Sequence, residues 1–167
     1  LSQSLTIDDI DNNQLSSAQV KLSSTDYNSL TESLSANPVG LITATWNAST
    51  GILSLNGTDS IANYVLTLRS VAYQNTDDNP GSANRTVEFS VVDEDLLASA
   101  VASRNITVQP DNDAPAISNV ETATLVFQEN GPAISLSQSL TIDDLDNNQL
   151  SSAQVKLTST DYNSLTE

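Results

Sequence analysis

The chain contains one long stretch twice, and this repetition constrains its fold more than any other feature. Residues 1–32 and 136–167 are identical at 30 of 32 positions and align without a gap, so that Leu1 corresponds to Leu136 and Glu32 to Glu167. The two differences are Ile10 against Leu145 and Ser23 against Thr158. A fixed period of this fidelity predicts a tandem array. Because one period, residues 1–135, is long enough for its own hydrophobic core, each period is expected to fold as one domain.

The charge of the chain narrows the classes of partner. Its net charge is −16, from 21 acidic and 5 basic residues. Nucleic acids and anionic membranes attract clusters of Lys and Arg, so we expect neither as a partner. An acidic surface suits divalent cations, but acidity also keeps a long exposed protein soluble. The charge alone does not choose between these two roles.

Cysteine and methionine are both absent from the chain. Their absence excludes thiol catalysis, disulfide bonds and thiolate metal sites, and it is compatible with an extracellular bacterial protein. No apolar run approaches the ~20 residues that a membrane-spanning helix needs. The composition is thus compatible with a protein that is secreted or held at a cell surface, and we expect no insertion into a membrane.

The residue mix favours strands over helices. Short alternating runs are separated by clusters of Asn, Asp, Gly and Pro, which is typical of an all-β sandwich. Ala18, Val20 and Leu22 alternate with polar neighbours and predict a strand with one buried face. Residues 4–7 predict a shorter strand before it. Residues 25–37 show no clear period and are predicted to form an irregular connection with at most one helical turn.

One hairpin and one short helix are also predicted. Residues 41–46 and 52–55 alternate on either side of a five-residue loop that contains a glycine, which predicts a hairpin. Within residues 60–68, apolar side chains recur at i, i+3, i+4 and i+7 from Ile61, which is helical spacing. We expect a helix there, capped by residues 59–60.

The boundary between repeats is predicted at residues 109–115, where two prolines bracket an Asp-Asn-Asp triplet. Proline fixes φ and removes a backbone donor, so it stiffens a linker. We therefore divide the chain into a repeat that lacks its first strand, residues 1–115, and the N-terminal part of the next repeat, residues 116–167. The missing strand corresponds to residues 122–128, which follow the linker.

A series of spaced residues gives the chain a family resemblance. The series is Tyr73, Asn75, Pro80, Arg85, Phe89, Val91 and Asp93, followed by Asn-Asp-Ala-Pro at 112–115 and Glu129-Asn130. It resembles the cadherin-like tandem repeats of giant bacterial surface proteins and adhesins, over a whole period. The resemblance implies an Ig/cadherin-like Greek-key β-sandwich whose junctions bind calcium. It departs from cadherins at Pro110, where cadherin junctions usually carry Asp.

The acidic residues themselves suggest calcium. Asp9, Asp11 and Asn13 alternate in one loop, and the motif recurs as Asp144-x-Asp146-x-Asn148. Oxygen atoms at alternate positions of a tight loop can converge on Ca²⁺, which takes 6 to 8 of them. The loop is not an EF-hand, because its sixth residue is Gln and its twelfth is Val.

Further calcium ligands are expected from neighbouring loops, from the linker and from the end of the first strand. The predicted ligand set is Asp9, Asp11, Asn13, Asp93, Asp95, Asp111, Asn112, Asp113, Glu129, Asp144 and Asp146. The alternative is that Asp and Asn gather wherever turns occur, because they cap backbone N–H groups.

Catalysis is not expected. The chain has no His and no Cys, so general acid–base chemistry would depend on carboxylates or Lys. Paired carboxylates could serve glycoside hydrolysis, but a hydrolase is not usually repeated almost identically along one chain. Trp46 with Tyr27, Tyr64 and Tyr73 could form a platform for sugars, although core packing is the more typical role of such residues.

Two functions therefore remain open from sequence. In the first, calcium-rigidified repeats are spacers that hold the terminal binding domain of an adhesin away from the cell, as in biofilm formation. In the second, each repeat is a module for cell adhesion that binds glycans or other copies of itself. Neighbouring repeats of the same chain are partners in both.

The division of the chain into a repeat without its first strand and part of the next repeat predicts self-association. We expect residues 122–128 to pair with residues 139–142 in an incomplete second repeat. The first repeat would then keep an exposed sheet edge, and exposed edges pair with strands of other chains.

Overall fold

The computed structural model describes residues 4–159, and the chain divides into two compact units, Leu1–Asp111 and Asn112–Glu167. We call them unit 1 and unit 2 and describe each by itself. The described residues form antiparallel sheets with one short helix, so the predicted all-β class is confirmed.

Unit 1 contains seven strands and the helix within the described range. They are β1 (Gln14–Ser23), β2 (Glu32–Ser35), β3 (Thr43–Asn47), β4 (Ile52–Ser60), α1 (Ile61–Arg69), β5 (Ala72–Asn75), β6 (Arg85–Asp93) and β7 (Ala102–Ile106). Five strands form one sheet in the order β3-β4-β1-β6-β7, and β2 pairs with β5 in a second sheet. A single hydrophobic core draws on both sheets and on α1, including Leu34, Leu55, Leu68 and Phe89.

Strand β1 is the centre of unit 1. It pairs antiparallel with β4 on one side and with β6 on the other. The predicted alternation is confirmed, because Ala18, Val20 and Leu22 are buried while the residues between them are exposed. The register shifts between Leu15 and Ser17, and this bulge keeps Leu15 buried despite its odd spacing from Ala18.

Helix α1 confirms the predicted helix. The hydroxyl of Ser60 caps it by accepting a hydrogen bond from the backbone N–H of Asn63. Tyr64 and Leu68 are buried on its inner face. Within residues 4–159, no helix is long and apolar enough to cross a membrane.

The hairpin of β3 and β4 also confirms its prediction. In the loop, the side-chain oxygen of Asn47 accepts hydrogen bonds from the N–H groups of Ser49 at 3.1 Å and Thr50 at 3.3 Å. Gly51 closes the loop with a φ of 66°. A Cβ there would lie 2.4 Å from the carbonyl oxygen of Leu22, so the position requires glycine for space as well as for conformation.

An ion pair between Glu32 and Arg85 lies inside unit 1. Both side chains are 0% exposed, and Arg85 Nη2 donates to Glu32 Oε1 at 2.8 Å. Arg85 Nε donates to Glu32 Oε2 at 3.1 Å, which makes the pair bidentate. The hydrogen bonds to the carboxylate raise the pKa of Arg85 above its ordinary value. Arg85 therefore stays charged at any physiological pH.

The remaining guanidinium N–H groups of Arg85 hold two loops in place. They donate to the carbonyl oxygens of Pro80 and Ala83 at 2.6 Å each, of Gly81 at 3.3 Å and of Asp26 at 3.4 Å. One side chain thus fixes the turn before β6 and the segment before β2.

The ion pair also explains an error in the sequence prediction. Residues 25–37 were expected to be irregular, but they contain β2, which begins at Glu32 and pairs with β5. From sequence alone, a charged residue such as Glu32 at the start of a short strand is not expected to be buried. Its burial depends on Arg85, which lies 53 residues further along the chain.

Unit 2 contains one strand pair among its described residues. Strand β8 (Ala116–Ser118) pairs antiparallel with β9 (Thr141–Asp143), with Ile117 opposite Ile142. The expected pairing of residues 122–128 with 139–142 is therefore wrong. The first of these segments forms no strand, and Leu125, Val126 and Phe127 are exposed.

The duplicated sequence forms different strands in the two units. Residues 14–23 form β1, whereas residues 149–158, which differ from them only at the last position, form no strand. Conversely, residues 141–143 form β9, whereas the identical residues 6–8 do not, so the strand predicted at 4–7 is absent. The difference follows from the partners, because β1 lies between β4 and β6 while β9 pairs with β8.

Removing the buried carboxylate should destabilise unit 1 strongly. In Glu32→Gln, Arg85 would stay buried without its counter-charge, and the free energy of unfolding should fall by about 3–5 kcal/mol. Urea unfolding followed by the fluorescence of the single tryptophan, Trp46, measures the change. Glu88→Gln is a matched control on β6, because Glu88 is only half-buried and lies opposite Lys21. An equal loss in both variants would contradict the role given to the ion pair.

Candidate functional site

The acidic loop of unit 1 is ordered by one aspartate. Asp9 Oδ1 accepts hydrogen bonds from the backbone N–H of Asp11 at 3.1 Å and of Asn12 at 3.0 Å. This Asx turn uses one carboxylate oxygen of Asp9 and fixes the backbone at Asp11 and Asn12. Asn13 is exposed, and its backbone carbonyl accepts from the N–H of Ile61 at 3.1 Å.

The same loop has the same geometry in unit 2. Asp144 Oδ1 accepts from the backbone N–H of Asp146 at 3.1 Å and of Asn147 at 2.9 Å. Unlike the strands on either side of it, the loop therefore has one conformation in both copies. Its shape follows from local hydrogen bonds rather than from strand partners.

In unit 1, the loop meets the turn after β6. Asn12 Nδ2 donates to Asp95 Oδ2 at 3.3 Å, which places the side chain of Asp95 beside the acidic loop. Asp93 is buried, and its Oδ1 accepts from the N–H of Leu97 at 2.8 Å. Asp93 thus closes the turn after β6, while Asp95 is exposed and directed to the loop.

In unit 2, the loop meets the linker. The backbone N–H of Asp113 donates to Asp146 Oδ2, and Asn147 Nδ2 donates to Asn112 Oδ1 at 3.1 Å. Asn112 Nδ2 in turn donates to the carbonyl oxygen of its neighbour Asp113 at 2.8 Å. Two predicted linker residues, Asn112 and Asp113, therefore contact the predicted loop.

The other two predicted ligands do not join these contacts. Asp111 is exposed at the end of unit 1. Glu129 is exposed in the turn that the hydrogen bond from Gly131 N–H to the carbonyl oxygen of Gln128 closes. Within residues 4–159, no three acidic side chains lie close enough together to form a metal-holding group.

Two sets of contact residues were not singled out from sequence. Asn12 and its equivalent Asn147, rather than Asn13, reach across from the loop. The sequence did carry one indication of this role. Each Asn directly follows the Asp-x-Asp motif, and the Asx turn holds the backbone N–H of that Asn. Glu121 is the other, and no spacing indicated it.

Glu121 joins two segments of unit 2. Its carboxylate accepts hydrogen bonds from the hydroxyl of Ser137 at 2.5 Å and from the N–H groups of Gln138 at 2.9 Å and Ser139 at 3.1 Å. These donors, with the Ser137 hydroxyl first, lower the pKa of Glu121 from 4.5 to about 2. The carboxylate therefore fixes the start of the duplicated sequence beside β8.

The aromatic residues are used inside unit 1. The hydroxyl of Tyr27 donates to the carbonyl oxygen of Ala48 at 2.5 Å, and that of Tyr73 to Glu32 Oε2 at 3.0 Å. Tyr64 is buried, and Trp46 packs against the hydrophobic core. These four side chains do not form one exposed platform.

No protein-family model matches the chain, and no curated protein or solved structure is significantly similar to it. The resemblance of its motifs to cadherin-like repeats therefore stays a prediction.

The Glu121 contacts predict a measurable pH dependence. Because its folded pKa lies below the ordinary value, Glu121 should stabilise unit 2 fully above about pH 4.5 and lose this effect as the pH falls to about 2. A carboxyl NMR titration of the full chain, with Glu121→Gln to assign the signal, should give a midpoint near pH 2. A midpoint near pH 4.5 would show that the contacts with Ser137 to Ser139 do not persist in solution.

Proposed function

We propose that the chain is part of a tandem array of calcium-rigidified, Ig/cadherin-like Greek-key β-sandwiches. The array would serve as the non-enzymatic spacer of an extracellular adhesin or surface protein and hold a terminal binding domain away from the cell. The observation that carries this proposal is the contact between the linker and the acidic loop that follows it, from Asp113 to Asp146. A spacer needs such a contact at every junction.

The identity of the two copies supports a spacer. A domain selected for a specific ligand tends to diverge from its neighbours, whereas a spacer needs only length and stiffness. The two copies are identical at 30 of 32 positions, which fits a spacer better than a domain selected for a ligand. The acidity of the chain also fits, because repeats of like charge repel one another and favour an extended array.

The cadherin-like assignment gains support from the motif residues. Tyr73 donates to Glu32, Asn75 donates to Tyr73 at 3.3 Å, and the carbonyl oxygen of Pro80 accepts from Arg85. Residues that are scattered along the sequence thus belong to one network around the buried pair of Glu32 and Arg85. A motif with this structural role is expected to mark a fold rather than a ligand.

The calcium proposal follows from combining the contacts of the two identical loops. In unit 1 the loop has Asp95 beside it, and in unit 2 it has Asn112 and Asp113 beside it. A complete repeat, one full period of the sequence, would give one loop both sets of neighbours. The carboxylates of the loop and of Asp95 would then lie beside the linker residues Asn112 and Asp113, and the mutual repulsion of the carboxylates would favour a bound cation.

Glycan binding is the weaker alternative. Its sequence basis was the aromatic residues, and their hydroxyl groups and rings are engaged within unit 1. An array of glycans tested against one complete repeat would detect such a function directly.

Calcium should stabilise a protein of two complete repeats. At a calcium concentration ~100 times the dissociation constant, each site adds about 2.7 kcal/mol to the free energy of unfolding, so the melting temperature should rise. Titration calorimetry should show a heat of binding, and Asp146→Asn should abolish or weaken it. Asp78→Asn is the matched control, because Asp78 is exposed in a turn before β6 and lies outside the loop contacts.

Absence of any heat, with one melting temperature in calcium and in chelator, would overturn the calcium part of the proposal. If calcium binds but small-angle scattering gives the same maximum dimension with and without it, the ions do not stiffen the junctions. The spacer would then be flexible.

A further inference from the structure

Four Asn-x-Ser/Thr motifs occur in unit 1, and this is the motif at which N-linked sugars are attached to proteins. They begin at Asn47, Asn56, Asn84 and Asn105, and each of these asparagines is exposed. A motif of three residues often arises by chance in a chain that is rich in Asn, Ser and Thr. The fold nevertheless gives the four asparagines different surroundings, and these surroundings separate Asn47 from the other three.

Asn47 stands at the end of β3, where the loop to β4 begins. Its Oδ1 accepts a hydrogen bond from the hydroxyl of Ser49, the third residue of its own motif, at 2.7 Å. The same oxygen accepts from the backbone N–H groups of Ser49 at 3.1 Å and Thr50 at 3.3 Å. Three donors therefore hold Oδ1, whereas Nδ2 of Asn47 donates no hydrogen bond to any residue of the described range 4–159.

These three donors favour chemistry at the amide nitrogen. Nδ2 of an asparagine is a poor nucleophile, because its lone pair is delocalised into the neighbouring carbonyl group. Loss of one N–H proton gives an imidate, in which the nitrogen is nucleophilic and much of the negative charge lies on the oxygen. Preorganised N–H and O–H donors stabilise such a developing charge. The arrangement around Oδ1 of Asn47 therefore makes its Nδ2 easier to activate.

The loop that carries Asn47 is fixed by contacts from another segment of unit 1. The hydroxyl of Tyr27 donates to the carbonyl oxygen of Ala48 at 2.5 Å, and the N–H of Leu22 donates to the carbonyl oxygen of Gly51 at 2.7 Å. A loop that is already ordered loses little further conformational freedom when an enzyme binds it. The turn is thus preorganised, and Asn47 is exposed on it.

The other three motifs lack this arrangement. Asn56 and Thr58 both lie in β4, where the extended backbone separates their positions by ~6.6 Å, and no hydrogen bond joins their side chains in the described structure. The hydroxyl of Thr86, which belongs to the motif of Asn84, donates instead to Oδ1 of Asn105 at 3.2 Å. Asn105 thus has one hydroxyl donor, but the donor comes from a neighbouring strand. Within the described residues, no hydroxyl of these three motifs donates to its own asparagine.

We propose that Asn47 is a site of N-linked glycosylation and that the motifs at Asn56, Asn84 and Asn105 stay unmodified. The donor is a sugar whose anomeric carbon is joined to a diphosphate, carried by either a nucleotide or a lipid. Nδ2 of Asn47 attacks that carbon, the bond from the carbon to the diphosphate oxygen breaks, and its electron pair leaves with the diphosphate. The proton lost from Nδ2 passes to a base of the transferase. A C–N bond replaces a C–O bond, and nothing is oxidised or reduced.

The proposed site is contained within unit 1. Every contact that orders it, from Leu22, from Tyr27 and within the loop itself, lies inside this unit. The modification therefore requires neither calcium nor a neighbouring repeat, and it is independent of the spacer function.

Tandem mass spectrometry of peptides from the full chain, isolated from the cells that produce it, tests the proposal. We expect a sugar on the peptide that contains Asn47 and unmodified peptides for the other three motifs. The added mass distinguishes the two donors, because a nucleotide donor adds single sugars whereas a lipid donor adds a preassembled oligosaccharide. The absence of sugar at Asn47 would overturn the proposal. Occupancy of the other motifs equal to that of Asn47 would also overturn it, because the turn would then have no effect.

The variant Tyr27→Phe separates the effect of the turn from that of the motif, because it leaves the sequence from Asn47 to Ser49 intact. It removes the hydrogen bond that holds the loop at Ala48. The ratio of occupied to unoccupied Asn47 should fall about fivefold, as expected from the loss of one hydrogen bond. An unchanged ratio would contradict the role given to the turn.

The variant Thr58→Ala is the control for these measurements. It destroys the motif at Asn56 and should leave the occupancy of Asn47 unchanged. The fluorescence of Trp46, the single tryptophan, verifies that unit 1 stays folded in both variants. An equal loss of occupancy in both variants would show that the effect of Tyr27→Phe is not specific to the turn.

Discussion

The buried pair of Glu32 and Arg85 is the interaction on which most of unit 1 depends. It joins the start of β2 to the start of β6, and thus the small sheet to the large one. Arg85 also holds the turn at Pro80 through Ala83, and Tyr73 completes the environment of the carboxylate. Two charges without water are stable only when nearly all of their hydrogen-bonding groups are used. This requirement explains why residues from distant segments gather around the pair.

Local rules predicted the elements whose determinants are close in sequence. The alternation of Ala18, Val20 and Leu22, the spacing that begins at Ile61 and the glycine loop before β4 each specify their element within a few residues. Strand β2 could not be predicted in the same way, because its first residue is buried only through Arg85. The strand expected at 122–128 was wrong because an apolar run forms a strand only where a partner exists.

The acidic loops show the same division between local and distant causes. The turn at Asp9 and Asp144 is set by hydrogen bonds to the backbone just after each Asp, so both copies adopt it. Which side chain reaches outward depends on the turn geometry, and this is why Asn12 and Asn147 were not chosen over Asn13. Asp93 could not be distinguished from Asp95, since only the fold shows that one is buried and the other exposed.

The central claim is that a repeated sequence becomes a strand only where its partner strands are present. Hydrogen exchange of backbone amides tests it most directly, because residues 18–22 and 153–157 are identical in sequence. Amides that bond to β4 and β6 should exchange far more slowly in the first stretch than at the same positions in the second, in one molecule and under one condition. Equal protection of the two stretches would contradict the account.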